Sequence, residues 1–124
     1  MTLQALVVDD SMLIRHTVSR SLEKCGFQVH TATDGSFALE ALKSLKPDVI
    51  FTDLQMPSLT GYELITALKA DATTAAIPVV VLAAKPTTGD FQETRAHSVI
   101  YKDLNIDVQM KRVLDNLFPT NAMA

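Results

Sequence analysis

Three carboxylates and one ammonium carry the chemistry open to this chain. Asp9 and Asp10 close the apolar run Leu6-Val7-Val8, Asp53 closes Val49-Ile50-Phe51-Thr52, and Lys102 follows Val99-Ile100-Tyr101. Short, β-branched, continuously apolar runs are the pattern of strands buried on both faces of a parallel sheet. Open sheets of that kind bind ligands beyond the carboxyl ends of their strands, so the three acids are expected to meet in one crevice. Two unit charges about 4 Å apart repel by roughly 4 kcal/mol at an effective dielectric of 20. The cluster therefore calls for a cation, a proton or a charge-changing reaction. Helix capping by Asp10 or Ser11 is the simpler alternative, and taken alone it is the weaker reading.

Among cations, Mg²⁺ suits such a cluster, because it prefers a few carboxylates, a carbonyl and several waters to a full protein cage. Asp10 and Asp53 are expected as direct ligands, Asp9 mainly through water, and the backbone carbonyl of Gln55 as a further ligand. Zinc is disfavoured, since Cys25, His16, His30 and His97 are scattered without ligand spacing. Lys102, ending the last strand, is placed to pair with Asp53 or with phosphoryl oxygens as a point charge.

The elements that must position these groups alternate along the chain, which is the rhythm of an α/β parallel sheet. Strands are predicted at about 4–9, 27–31, 48–53, 77–82 and 98–101. The first helix, about 12–25, places Ile14, Val18, Leu22 and Cys25 at helical spacing and stops at Gly26. Asp34 caps a second helix with Ala38, Ala41, Leu42 and Leu45 on one face, Lys46 in its last turn and Pro47 ending it. A third spans roughly 61–69. The last carries Ile106, Met110, Val113, Leu114 and Leu117, with Asn105 as cap and Asp107 at the positive end of its dipole. Pro86 and Gly89 disfavour an early helix between the last two strands and leave 90–96 for a short or irregular fourth helix. Right-handed crossovers prune the topologies. The expected fold is a flavodoxin-like, doubly wound, five-stranded parallel sheet of order 2-1-3-4-5, which brings Asp9 and Asp10 beside Asp53 at the switch point.

Composition narrows the classes. A chain of 124 residues suits one domain over 1–124, with 119–124 a frayed tail. At 48% hydrophobic and 20% charged residues it can build a core, and a net charge of −3 without a basic run argues against nucleic acid as a partner of this domain. The single Cys25 excludes an internal disulfide, fits a reducing compartment and is expected in the core. The first residues lack a basic region, and no apolar run approaches the roughly 18 residues of a membrane span. The expected location is the cytoplasm, away from membranes.

Taken together the residues resemble a known family, the response-regulator receiver domain of two-component signalling. The resemblance rests on Val7-Val8-Asp9-Asp10-Ser11, Arg15, Leu22-Glu23-Lys24-Cys25-Gly26, Asp34-Gly35, Pro47-Asp48-Val49-Ile50, Asp53-Leu54-Gln55-Met56-Pro57, Gly61-Tyr62-Glu63-Leu64, Ile77-Pro78-Val79-Val80 and Lys102, in order and at family spacing. It implies that Asp53 accepts a phosphoryl group from a sensor histidine kinase or phosphotransfer protein, with Mg²⁺ held by the acid pocket and Lys102 neutralising charge. The catalysis so implied is confined to the chain's own aspartyl phosphorylation and dephosphorylation.

Three positions depart from the family pattern. Ala83 stands where a Ser or Thr usually ends the fourth strand, and a hydrogen bond from that hydroxyl to a charged group is worth about 1.5 to 3 kcal/mol. Val99 replaces the usual aromatic three residues before the lysine; Tyr101 is not expected to substitute, because adjacent side chains on a strand face opposite ways. Asp103 replaces the proline after the lysine, and a non-proline cis bond costs about 2.5 to 4 kcal/mol, so a trans bond is predicted. Thr87 or Thr88 is a candidate replacement hydroxyl. Two functions follow: a phosphorylatable receiver with an altered output switch, acting through an output partner the sequence does not name or as a phosphate relay, or a receiver-like interaction module working independently of phosphorylation. An aspartate-nucleophile phosphatase is disfavoured, since the second acid it needs two residues after Asp53 is Gln55, and no phosphate-cradling glycine loop is present.

Overall fold

The computed structural model describes residues 2–84, 96–102 and 105–119. In chain order these form β1 (Gln4–Val8), α1 (Met12–Lys24), β2 (Gln28–Ala32), α2 (Gly35–Ala41), β3 (Val49–Asp53), α3 (Gly61–Ala70), β4 (Val79–Ala83), β5 (Ser98–Tyr101) and α4 (Ile106–Leu117). The strands make one five-stranded sheet in the order β2-β1-β3-β4-β5, every pairing parallel. This is the predicted flavodoxin-like arrangement. Residues 90–95 of the short fourth helix predicted over 90–96, the alternative hydroxyls Thr87 and Thr88, Asp103 with its peptide bond, and the tail from 120 onward lie outside the described residues, and Ala96 is not helical.

Strand alternation splits the core into two layers. Ala5, Val7, Phe51, Val80, Leu82 and Ile100 face α1 and α4, where they meet Val18, Leu22 and Met110. Leu6, Val8, Ile50, Val79 and Val81 face the other way and pack with Ala38, Leu64, Ile65 and Leu68. Full burial of one such side chain contributes about 1.5 to 3 kcal/mol, so both layers hold the sheet rigid where the strands end.

The helix ends differ from expectation at two points. At the end of α1, Gly26 takes the left-handed backbone (φ 90°), its N–H donating to the Glu23 carbonyl and that of Phe27 to the Leu22 carbonyl, the paired bonds of a Schellman stop. Cys25 is therefore the cap residue and is exposed rather than in the core. Asp34 caps α2 as expected, but α2 ends at Ala41, and Lys43 and Ser44 continue only with bonds to carbonyls three residues back. Lys46 thus lies beyond the helix.

Candidate functional site

The site begins with register. Val8 lies opposite Thr52, so Asp9 and Asp53 each follow directly on neighbouring strands, about 5 Å apart. Asp9 is fully buried and its backbone and one carboxylate oxygen are held by hydrogen bonds. Its N–H donates to the Ala32 carbonyl at 3.2 Å, its carbonyl accepts from Arg15 Nη1 at 2.8 Å, and its Oδ1 accepts from the Ser11 N–H at 2.8 Å. The Ser11 side chain in turn caps α1 by accepting from the Ile14 N–H.

Lys102 closes the cleft from β5. Its Nζ stands 2.8 Å from Asp9 Oδ2 and 3.2 Å from Asp53 Oδ2. The ammonium thus pairs with both acids and bridges the ends of β1 and β3. Burial is the largest influence on Asp9 and raises its pKa above the ordinary carboxylate value; the hydrogen bond from Lys102, the Ser11 N–H and the Lys102 charge pull it back only in part. For Lys102, burial acts first and downward, yet Asp9 and Asp53 together outweigh it and leave the ammonium above the usual lysine value.

Asp53 is the more accessible of the two paired acids, its side chain 13% exposed against 0% for Asp9. Its Oδ1 accepts from the Gln55 N–H at 3.3 Å, which keeps the Gln55 peptide beside the cluster. Asp10 is exposed at the mouth. Asp9, Asp10 and Asp53 each offer a carboxylate oxygen, all within 4.8 Å of one another. The three acids therefore stand close enough that they would serve one hard cation, directly or through water. A set of hard carboxylate oxygens fits such a cation.

The loop after Asp53 is fixed by α3. Thr60 and Glu63 form a capping box, Thr60 Oγ1 accepting from the Glu63 N–H at 3.2 Å and the Thr60 N–H donating to Glu63 Oε1 at 2.9 Å. Gly61 donates its N–H to the Leu54 carbonyl at 3.1 Å. A Cβ on Gly61 would collide with the Asp53 carbonyl and come within 2.7 Å of Leu54 Cα. Sequence spacing alone assigned no role to Gly61 or to the carbonyl grip of Arg15. The Asp-x-Ser spacing at 9–11 was the signal available for the Ser11 turn.

Two of the positions where the sequence departs from the family pattern, Ala83 and Val99, sit on one face. Ala83 ends β4 directly beside Tyr101, and Val81 lies beside Val99. Val99 and Ala83 are half-buried against the second core layer. Val99 and Tyr101 are two residues apart and so share a face; alternation does not separate Tyr101 from that position, which corrects the expectation above.

An open, doubly wound α/β sheet with an acid cluster and a closing lysine at its switch point defines a class of signalling module. The response regulator receiver domain family matches residues 5–114, and the chain belongs to it. It is similar to PilG of Pseudomonas aeruginosa, 39% identical over 83 residues, covering 67% of this chain and 62% of PilG. It is also similar to the transcriptional regulatory protein PrrA of Mycobacterium tuberculosis, 39% identical over 87 residues, covering 70% of this chain and 36% of PrrA. The chain therefore spans less than two thirds of PilG and about a third of PrrA. Among solved structures, the chemotaxis response regulator CheY4 of Vibrio cholerae matches with a TM-score of 0.85 and 30% identity, over 95% of this chain and 100% of CheY4. No helix among the described residues is long and apolar enough to cross a membrane.

Proposed function

We propose that this receiver domain accepts a phosphoryl group on Asp53 from a phosphohistidine of a sensor kinase or phosphotransfer protein, and that the resulting acyl phosphate is the signal. The observation that carries the reading is the Lys102 ammonium within 3.2 Å of Asp53 Oδ2, on the one paired acid that reaches solvent. An Asp53 carboxylate oxygen attacks phosphorus, the P–O bond forms as the P–N bond breaks, and the leaving imidazole takes up a proton. Lys102 neutralises charge on the phosphoryl oxygens, while Asp9, locked in the floor, holds Lys102 in place. Asp9, Asp10, Asp53 and the Gln55 carbonyl would hold Mg²⁺, which when bound supplies charge neutralisation at the transferring group.

Incubation with a small phosphodonor and Mg²⁺, followed by intact-mass measurement, tests the proposal: wild type gains a phosphoryl mass and Asp53→Asn does not. Equal gain in both proteins, or none in either, contradicts it. Asp10→Asn is expected to weaken Mg²⁺ binding at least about tenfold and, without the ion, to raise the melting temperature because one like charge is gone; a titration followed by thermal melting reads both.

The kinase-facing surface is proposed to include Met12 and Leu13, 75% and 71% exposed at the start of α1 beside Asp10. Met12→Glu is expected to slow transfer from a cognate phosphohistidine donor about tenfold, the cost of a lost apolar contact at an interface, with labelling by the small donor unchanged. Comparison of the two donors checks it.

One observation favours a second reading. Ala83 offers no hydroxyl to an Asp53 phosphoryl group, so partner binding independent of phosphorylation fits the β4 end. Equal affinity of an output partner for phosphorylated and unmodified protein would select that reading.

A further inference from the structure

We propose that Gln109 is a positioning residue that sets Lys102 in the acid cleft; the inference rests on the reading of Lys102 given above. Gln109 lies on α4 beside the outer edge of β5 and grips one residue twice. Its Oε1 accepts from the Tyr101 N–H at 2.9 Å, and its Nε2 donates to the Tyr101 carbonyl at 2.9 Å. The amide thus serves β5 as a neighbouring strand would, satisfying the outward N–H and carbonyl of an edge residue.

The consequence lies in the next peptide. The carbonyl of Tyr101 and the N–H of Lys102 belong to the same planar unit. Gln109 holds that plane by its oxygen, and the Ala83 carbonyl holds it from the other side by accepting from the Lys102 N–H at 2.7 Å. The plane from which Lys102 departs is therefore fixed between β4 and α4, and its ammonium arrives 2.8 Å from Asp9 and 3.2 Å from Asp53.

The helix that carries Gln109 is itself well seated. Ile106, Met110, Val113 and Leu114 are buried in the first core layer. Asp107 receives a hydrogen bond from the Ser21 side chain, and its carboxylate lies 3.1 Å from Lys24 Nζ on α1. Gln109 Nε2 also reaches the Asn105 carbonyl at 3.4 Å, which orients the amide from within its own helix turn. A leucine at this position would pack against β5 but leave both Tyr101 groups without these partners.

Gln109→Met keeps length and removes both bonds; Gln109→Glu keeps the acceptor for the Tyr101 N–H and removes the donor to its carbonyl. Two measurements apply. In the first, labelling of Asp53 by a small phosphodonor is expected to slow about tenfold in Gln109→Met, in line with a misplaced charge. Mg²⁺ affinity should not fall, since every carboxylate is kept and a competing cation stands further away. In a Lys102→Met background the same substitution should add nothing further. In the second, the acylation rate of each lysine by a water-soluble amine reagent is read by peptide mass. Lys102 should react several-fold faster in Gln109→Met, with the other lysines unchanged.

Wild-type labelling rates together with unchanged Lys102 acylation in both folded Gln109 variants would overturn the proposal and leave the phosphoacceptor reading standing. Absent labelling of wild type, with faster Lys102 acylation in the variants, would overturn the phosphoacceptor reading and support the role of Gln109. Should Gln109→Met fail to fold, Gln109→Glu carries both measurements.

Discussion

Lys102→Met is expected to lose about 2 kcal/mol of stability at neutral pH without divalent cations, below the 3 to 5 kcal/mol typical of breaking a buried pair. The discount reflects the 17% exposure of Lys102 and the freedom of Asp9 to take up a proton once its partner is gone. Asp9 binds its proton more tightly folded than unfolded. Its contribution is therefore most favourable below the unfolded carboxylate value and is lost as pH rises through the raised folded value. The deficit of Lys102→Met should accordingly shrink on acidification through that window. Lys102 is also raised, so the stability it adds is fully present below the ordinary lysine value and is lost as pH rises through the folded one. Wild type and variant should converge again in strong alkali. Urea denaturation across pH checks both limbs, and a deficit independent of pH would contradict the assignment. With Mg²⁺ present, labelling of Asp53 in Lys102→Met should fall about a hundredfold, the scale of removing one preorganised charge from a reacting group.

Gly61→Ala is expected to cost about 3 kcal/mol or more, at the upper end for overpacking, because the new methyl meets backbone rather than a yielding side chain. The groups it would strike are the Asp53 carbonyl and Leu54 Cα. Relief requires α3 to withdraw or the Asp53 backbone to shift, so the loss of stability should come with slower labelling of Asp53. Thermal melting and the labelling rate check the pair. A variant as stable as wild type would show that α3 does not hold the Asp53 loop at this distance.

The acid cluster was legible because β-branched runs that end in carboxylates are local signals, and a parallel sheet converts strand ends into neighbours. Strand order followed from the same runs, since crossover handedness leaves few alternatives. The features that escaped depend on packing between distant segments. Gly61 matters because the start of α3 lies against the Asp53–Leu54 backbone. Gln109 matters because α4 lies beside β5. Neither contact leaves a mark on the residues nearby in sequence. Cys25 fell on the apolar spacing of α1, but the Schellman turn at Gly26 ended the helix before that residue could join the core. Tyr101 shares the face of Val99 and stands beside Ala83, which counting strand positions from Val99 rather than from Lys102 would have shown.

Reductive trapping of the labelled protein tests the central claim most directly. Borohydride converts an aspartyl phosphate to homoserine, and peptide mass mapping locates it. After exposure to a small phosphodonor and Mg²⁺, homoserine is expected at position 53 alone, with Asp9 and Asp10 unchanged. Homoserine at position 9 or 10, or none after full exposure, would contradict the account.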